Sequence, residues 1–395
     1  MHSPTPTIDP SRRRAIALIG GGLVLAGSAA SGCSSASTTL PPDVLVAWQP
    51  PARETDLRRY MLAHGLLAPN PHNRQPWLAD LRRDGEIGLV CDPDRLLPQT
   101  DPFGRQIVIG CGAFIELAVM AAAERGHRVE VTPFPDGEPA PGALPGGHAV
   151  ARLSLAPDTG LARDPLHAQI HRRHTHRGVY DSARPVSAAA WTRLAAPARA
   201  AGLLAGVADA PAAVEALRRL TRAAFEAEMT TERTWLESAR LLRIGPTEIE
   251  RHRDGISLMG LLPRVMSRVG LFDRFEVPVP GSSGHARVMD HWLPQETGSG
   301  YLWIATRGNT RSSQLAAGRA YVRAHLEATA LGLAMQPLSQ ALQEFAEVRP
   351  QYEAVHRALG LDPTTRTLQM LARVGHATTP AGPAPRRPLA QLVRA

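Results

Sequence analysis

The chain has 395 residues, of which 44% are hydrophobic and 20% charged, so it can bury a large core and is not a disordered protein. Its formal net charge is +8, but the basic residues are spread along the sequence and aromatic residues make up only 5%. Because neither a basic run with stacking residues nor a helix-turn-helix pattern occurs, nucleic acid is not expected as a partner. All 44 basic side chains are arginine, so any cationic site must use a planar, bidentate group.

The first 33 residues have the pattern of an export signal. Three consecutive arginines, residues 12–14, precede an uncharged stretch over residues 15–30 that contains three consecutive glycines. This layout is typical of a twin-arginine signal. The alternative is a transmembrane helix, for which the uncharged stretch is short and rich in glycine. The sequence AASGC ending at Cys33 is similar to a lipobox, in which Cys33 would be lipidated and attached to a membrane; ordinary cleavage near Ala30 is the other possibility. We therefore predict an exported, periplasmic protein carried by the twin-arginine export machinery.

Two units are predicted after a Ser/Thr/Pro-rich tether over residues 34–53. The first unit, residues 54–160, should contain two helices and three strands, with the helices at Glu54–Ala68 and about Phe103–Arg125 and the strands at Leu78–Leu81, Ile87–Cys91 and Ala149–Leu155. The second unit, residues 161–395, should contain helices at Pro165–Arg173 and Arg311–Leu331. Within it, residues 225–300 have no counterpart in the first unit and are predicted to be an inserted lid, or a helical pair that packs on the core.

A weak internal repeat links the two units. Four small residues recur at a constant offset of 206 positions: Gly112, Ala118, Ala122 and Gly126 match Gly318, Ala324, Ala328 and Gly332. Each set has helical spacing and ends on a glycine before a strand, as expected for a central helix in close contact with a twin. In so alanine-rich a chain, coincidence is the alternative to a true duplication.

Two polar motifs stand about a hundred residues apart. Residues 68–77, APNPHNRQPW, should form a turn whose prolines fix the backbone and whose amides can bind a planar polar ligand. Residues 171–177, HRRHTHR, gather three arginines, a hydroxyl and three imidazoles, which suits an anion. The three histidines could also ligate a metal, but no second ligand cluster stands nearby, so we expect none.

Together these motifs resemble the two half-motifs with which nitroreductase-superfamily proteins hold FMN, a loop APSxxNxQPW and a phosphate motif Rx(S/T)x(K/R). The resemblance is closest to the Acg-like branch, which shares the NxQPW loop, a mid-chain RRxTxR and a terminal PRRP, here residues 385–388. It implies an α+β flavoprotein of the nitroreductase-like fold, in which two tandem half-units form a fused pseudo-dimer around central helices. Because the first unit has only the loop and the second only the arginine motif, one flavin site should remain.

The resemblance also implies the site residues. Arg177 matches the cation beside the flavin N1–C2=O edge and is the predicted catalytic residue, since a fixed cation there stabilises the reduced flavin. The other predicted FMN contacts are the loop residues Pro69, Asn70, Pro71 and Asn73, the phosphate-side residues Arg172, Arg173, His174 and Thr175, the turn residues Leu338 and Ser339, and the terminal pair Arg386 and Arg387. Asn70 stands where the family usually has serine, and the terminal arginines could instead be solvated.

The predicted activity is that of an exported FMN-dependent oxidoreductase. Its flavin would be reduced by a small-molecule electron donor and reoxidised by a nitroaromatic, quinone or similar acceptor. Ordinary members of the family take hydride from NAD(P)H, which is scarce outside the cytoplasm, so a quinol or a redox partner is another possible donor. The alternative is a flavin-binding or sequestering protein with little turnover.

Overall fold

Two antiparallel sheets, each associated with one long helix, dominate the computed structural model, which describes residues 40–140, 142–260 and 273–394. The predicted export signal, Cys33 and the start of the predicted tether lie outside these residues. The described chain from residue 40 onward belongs to one compact unit. It combines helices and antiparallel strands, as the predicted α+β class requires.

The first half contains the two helices and three strands predicted for it, with ends shifted by a few residues, and one further strand after Gly126. They are α1 (Leu57–Gly65), β1 (Trp77–Asp80), β2 (Glu86–Cys91), α2 (Arg105–Glu124), β3 (His127–Pro133) and β4 (Ala149–Pro157). The four strands form one sheet in the order β1-β2-β4-β3. Helix α1 begins where the Asp56 carboxylate accepts hydrogen bonds from the amides of Arg58 and Arg59, as expected of an N-cap.

The second half is longer and includes the insertion. Its elements are β5 (Tyr180–Asp181), α3 (Ala188–Ala200), β6 (Leu204–Ala208), α4 (Pro211–Thr230), α5 (Glu232–Leu241), β7 (Leu242–Ile244), α6 (Gly245–Arg251), β8 (Ile256–Leu258), α7 (Ser283–Asp290), β9 (Gly300–Arg307), α8 (Arg311–Ala330), β10 (Ala334–Pro337), α9 (Arg349–Ala358) and β11 (Arg366–Ala377). The main sheet has the order β10-β11-β9-β6, and β5 pairs with the end of β11. The helix predicted at Pro165–Arg173 is a 3-10 helix over Pro165–Arg172.

The central helices α2 and α8 pack directly on each other. A Cβ atom on Gly112 would collide with the Leu315 carbonyl, and one on Gly318 would collide with the Ile109 carbonyl. Only glycine permits this approach, so the sequence repeat marks the helix crossing. By length and composition α2 could also cross a membrane, but 83% of its most apolar window is buried inside the protein.

The C-terminal segment returns from the second half to the first. After β11, the chain runs back until Val393 forms a parallel bridge with Ala79 of β1. The Ala79 amide donates to the Leu392 carbonyl at 2.7 Å, and the Arg394 amide donates to the Ala79 carbonyl at 2.8 Å. This return fixes residues 378–388 across the junction of the halves.

Part of the predicted tether is folded. Residues Pro42–Trp48 form a 3-10 helix in which Val44 and Trp48 are buried. This part of the tether predicted over residues 34–53 is therefore packed on the folded body. Two large apolar side chains in an otherwise Pro-rich stretch can stabilise a docked conformation by leaving water.

Candidate functional site

A cavity of about 430 Å³ lies where the two sequence motifs meet, between the central helices and the C-terminal segment. Its wall includes Pro69, Asn70, Pro71 and Asn73 from the loop after α1, and Arg173, His174, Thr175 and Arg177 from the arginine motif. Pro337, Ser339 and Arg386 complete the part of the wall near the predicted residues. The fold thus brings both motifs to one site, although they are about a hundred residues apart.

The loop after α1 is held in an uncommon backbone conformation. His72, Asn73 and Gln75 have φ values of 46°, 51° and 52°, in the left-handed region that non-glycine residues seldom adopt. Asn70 stabilises the turn because its Oδ1 accepts from the Gln75 amide at 2.7 Å and its Nδ2 donates to the Ala68 carbonyl at 3.0 Å. The side chain of Asn70 therefore fixes the loop that lines the cavity.

Asn73 joins this loop to the C-terminal segment. Its side chain is buried, with Nδ2 donating to the Pro385 carbonyl at 3.1 Å and Oδ1 accepting from Arg386 Nη1 at 2.7 Å. One amide thus orients the guanidinium of Arg386 from 313 residues away in the sequence.

Arg173 and Arg386 are two buried cations at one end of the cavity, and we call them, with Trp48, the anion end. Arg173 is 1% exposed and donates to the Leu67 carbonyl at 2.7 Å, while its Nε has no partner among the residues that the structure describes. Arg386 is 4% exposed and donates from Nε to the Leu66 carbonyl at 2.8 Å. These two backbone carbonyls, which follow helix α1, carry only partial negative charge, so they do not neutralise the guanidinium groups.

No carboxylate pairs with either guanidinium within the described parts of the chain. Burial lowers the pKa of Arg173 to about 10. Burial, and then the charge of Arg173, lowers the pKa of Arg386 to about 9. Both groups remain charged at neutral pH, so the anion end holds two positive charges that favour a bound anion.

The ring of Trp48 lies against both guanidinium groups of the anion end. Its ring centre lies 5.8 Å from the guanidinium carbon of Arg173 and 5.2 Å from that of Arg386, within the range of a cation–π interaction. The indole N–H donates to the Ala384 carbonyl at 2.7 Å, which ties this ring to the C-terminal segment. The ring of His174 meets Trp48 edge-on at 4.7 Å, and burial lowers the pKa of His174 to about 4, so this imidazole is neutral.

Arg177 differs from the two buried arginines. Its side chain is exposed by surface area, yet it lines the cavity and is surrounded by enough protein that desolvation lowers its pKa. The exposed surface of Arg177 lies on the cavity wall. Arg177 makes no hydrogen bond or ion pair with any described residue, so its guanidinium is available to a ligand.

Three predicted contacts do not reach the cavity wall. Arg172 is exposed at the end of the 3-10 helix, and Leu338 is buried in the core with its amide donating to Leu371. Arg387 points away from Arg386 because neighbouring side chains of an extended segment alternate. It donates to the carbonyls of Gln75 at 2.9 Å and Trp77 at 3.0 Å, and thus supports the loop from behind.

The wall also contains residues that the motifs did not indicate. They include Trp48, Gln106, Tyr321, Met370 and the Pro- and Gly-containing segment over residues 379–385. A lone Trp in the predicted tether was a usable signal, since a large apolar ring in a Pro-rich stretch favours packing. Nothing in the periodicity of α8 distinguishes Tyr321 from a core residue.

The inserted segment contacts the loop and the cavity. The Gly255 amide donates to the Asn73 carbonyl at 3.3 Å, and Gln75 Nε2 donates to the Arg253 carbonyl at 2.8 Å. Gly255, Ser257 and Met259 line the cavity. The segment therefore forms part of the site, whether or not it moves as the predicted lid. Among the described residues, no group of three or more His, Cys, Asp or Glu side chains could hold a metal ion.

These features define a mixed α and β protein in which two buried cations line a cavity between the central helices, among the residues that the structure describes. No family model matches the chain. Rv3131 of Mycobacterium tuberculosis strain H37Rv, which is named as an NAD(P)H nitroreductase, is 30% identical over 342 residues, covering 85% of this chain and 90% of that protein. The chain therefore belongs to the nitroreductase family and has its α+β fold.

Other relatives share the same family name over shorter or more distant matches. The protein acg of Mycobacterium tuberculosis strain H37Rv, also named as an NAD(P)H nitroreductase, is 34% identical over 95 residues, or 24% of this chain and 26% of that protein. A solved structure of NfnB from Mycobacterium smegmatis, an FMN-dependent nitroreductase in complex with NADPH, is 16% identical and covers 58% of this chain and 97% of its own, with a TM-score of 0.37. The family assignment rests on the sequence match.

Proposed function

We propose that this chain is an FMN-dependent oxidoreductase of the nitroreductase type. The observation that carries the proposal is the anion end, where Arg173 and Arg386 are buried without a carboxylate partner among the described residues. A permanent ligand with a phosphate group would compensate these charges. The family relationship identifies FMN as the phosphate-bearing cofactor to test.

The cavity fits the three parts of FMN. Its volume of about 430 Å³ lies in the range of small-molecule sites. The anion end suits the phosphate, and the guanidinium of Arg177, which has no partner among the described residues, suits the polar pyrimidine edge. Ile109, Met259 and Met370 supply apolar wall for the ring system.

When bound, FMN would supply reversible two-electron chemistry. Arg177 would stabilise negative charge at the pyrimidine edge, because a cation already positioned in a partly desolvated site needs little reorganisation. Arg173 and Arg386 would hold the phosphate, and Asn73 would orient Arg386. Trp48 and residues 379–385 would limit the access of water to the phosphate.

The electron donor and acceptor are proposed from relatives. Two relatives carry NAD(P)H in their names, and the M. smegmatis structure contains NADPH, so NADPH is the first donor to test. A quinol is the second, because NADPH is scarce outside the cytoplasm. Nitroaromatic compounds and quinones are the proposed acceptors.

One absorbance experiment tests cofactor and turnover together. Purified protein should be yellow and carry about one FMN per chain, because each motif occurs once. Under anaerobic conditions NADPH or a quinol should bleach the flavin, and a quinone or nitroaromatic compound should restore the colour. Bound flavin that neither donor reduces would support the sequestering alternative. Colourless protein that does not take up FMN would contradict both functions.

We also propose that the protein is exported through the twin-arginine route and anchored through Cys33. The sequence pattern supports this, and its residues lie before the described part of the chain. Arg12→Lys combined with Arg13→Lys should retain the precursor in the cytoplasm, whereas the matched pair Arg82→Lys and Arg83→Lys, in an exposed turn, should not. Cys33→Ala should release the mature protein from membranes. Unchanged export of the first variant, or a wild type that is already soluble, would contradict the respective step.

A further inference from the structure

The hydroxyl of Tyr321 is a buried polar group that has no hydrogen-bond partner among the described residues. Tyr321 lies on α8, is 2% exposed and lines the cavity. Its hydroxyl makes no hydrogen bond within the described part of the chain. Most buried hydroxyl groups are hydrogen-bonded, and leaving one unpaired costs about 1–3 kcal/mol. This donor therefore needs an acceptor that the surrounding side chains do not supply.

Tyr321 lies next to the anion end of the cavity. His325, one turn further along α8, lies 3.4 Å from Arg173 through its Nδ1, and its ring centre lies 5.9 Å from that of Tyr321. Arg173 is near enough for its positive charge to act on the Tyr321 hydroxyl. Burial nevertheless raises the pKa of Tyr321, so this hydroxyl is protonated at neutral pH and can donate.

Two unpaired donors therefore occur at the same end of the cavity. Arg173 Nε is the other, since it too is buried without a partner among the described residues. A single N–H or O–H group could be satisfied by many ligands. A hydroxyl and a guanidinium together favour a ligand with several acceptor oxygens and negative charge, which is the chemistry of a phosphate.

We propose that Tyr321 is a positioning residue that donates its hydroxyl hydrogen bond to the phosphate of the flavin, and thereby favours FMN over riboflavin. This inference rests on the proposed function. It adds to the arginine motif a neutral donor from the second central helix. Because the hydroxyl would contact only the phosphate, it should stabilise bound FMN but not bound riboflavin, which lacks that group.

The test compares the binding of FMN and riboflavin to apoprotein by fluorescence quenching. For Tyr321→Phe we expect the dissociation constant of FMN to rise by about tenfold to a hundredfold, as for a lost hydrogen bond to a charged group, and that of riboflavin to stay the same. The melting temperature of the apoprotein should be unchanged or higher, because the substitution removes an unpaired buried hydroxyl. The ³¹P resonance of bound FMN should also shift. A purely structural tyrosine would not combine weaker binding with equal or greater stability.

Tyr301→Phe is the matched control. Tyr301 is also 2% exposed, but it lies outside the cavity wall. This variant removes a buried tyrosine hydroxyl away from the site and should leave the ratio of the two flavin affinities unchanged.

The outcomes separate this inference from the proposed function. If wild type prefers FMN but Tyr321→Phe keeps that preference, or loses affinity for both flavins equally, the role of Tyr321 is overturned and the function stands. If wild type binds neither flavin, both are overturned. If the preference falls only in Tyr321→Phe, the inference is supported.

Discussion

The molecule contains two groups of partly or fully buried arginines that differ in their counter-charges. Behind the loop after α1, Asp254 accepts from Arg243 at 2.8 Å, Arg95 at 2.9 Å and Arg74 at 3.0 Å, and we call these four residues the aspartate cluster. At the anion end, the partners of Arg173 and Arg386 among the described residues are carbonyl groups, one amide and one imidazole, all of them uncharged. Arginine thus stabilises the loop in the aspartate cluster, whereas at the anion end it remains available to bind a ligand.

The comparison shows how a structural arginine can be told from a binding one. A guanidinium that a carboxylate neutralises has its ligand within the fold. A buried guanidinium that has only carbonyl partners keeps its net charge, and the protein bears that cost unless an anion binds. Removing a charge from each group should therefore have opposite effects on the stability of the unliganded protein.

The largest effect is expected in the aspartate cluster. Burial alone would raise the pKa of Asp254, but its three guanidinium neighbours hold that pKa below its usual range. Asp254→Asn should therefore lower the free energy of unfolding by about 3–5 kcal/mol, because three cations lose their shared carboxylate. Urea unfolding would measure it, with Glu215→Gln, which breaks an exposed helical pair, as a control that changes stability by less than about 1 kcal/mol. A loss no larger than the control's would mean that the cluster does not support the loop.

The anion end should respond in the opposite direction. Arg173→Met removes a buried charge while Arg386 Nη2 still donates to the Leu67 carbonyl at 3.2 Å, so the apoprotein should be as stable as wild type or more so. FMN binding should weaken by about 1.5–3 kcal/mol, the value of a hydrogen bond to a charged group. Equilibrium dialysis and urea unfolding would test the two halves of this prediction. A variant that loses stability and keeps its affinity for FMN would place Arg173 with the structural arginines.

A feature could be predicted from the sequence where a local pattern or a motif marks its residues, and not where it depends on contacts between distant, unmarked segments. Local patterns predicted the central helices and the glycine contact, since Gly112 and Gly318 repeat at a fixed offset. The motifs also indicated Arg173 and Arg386, which the fold brings to one cavity. The aspartate cluster could not be predicted, because Asp254 joins arginines from three separate segments. The docking of Trp48 likewise depends on Ala384, at the far end of the chain.

The charges of the anion end should also make FMN binding depend on pH. In the unliganded protein burial lowers the pKa of Arg386 to about 9 and that of Arg173 to about 10, whereas a bound phosphate favours both charged forms. FMN affinity should be constant between about pH 7 and 8, and should then fall by up to about tenfold per pH unit as binding comes to require proton uptake. Over the same range the unliganded protein should gain stability, because the unfolded chain retains more protons. Riboflavin, which has no phosphate, should show no such fall in affinity.

The smallest effect on binding is expected at Arg177, which belongs to neither group. Its guanidinium is exposed to the cavity and unpaired among the described residues, so removing it leaves no buried partner unsatisfied. Arg177→Ala should change FMN affinity by less than about 1 kcal/mol, as for an exposed charge, but it should lower the reduction potential of bound flavin and slow its reduction. A spectroelectrochemical titration at saturating FMN measures the potential without interference from lost occupancy, and Arg172→Ala, outside the cavity wall, is the control. If Arg177→Ala loses flavin while the potential of the remaining flavin is unchanged, Arg177 is a third phosphate ligand. The anion end would then extend along the whole arginine motif.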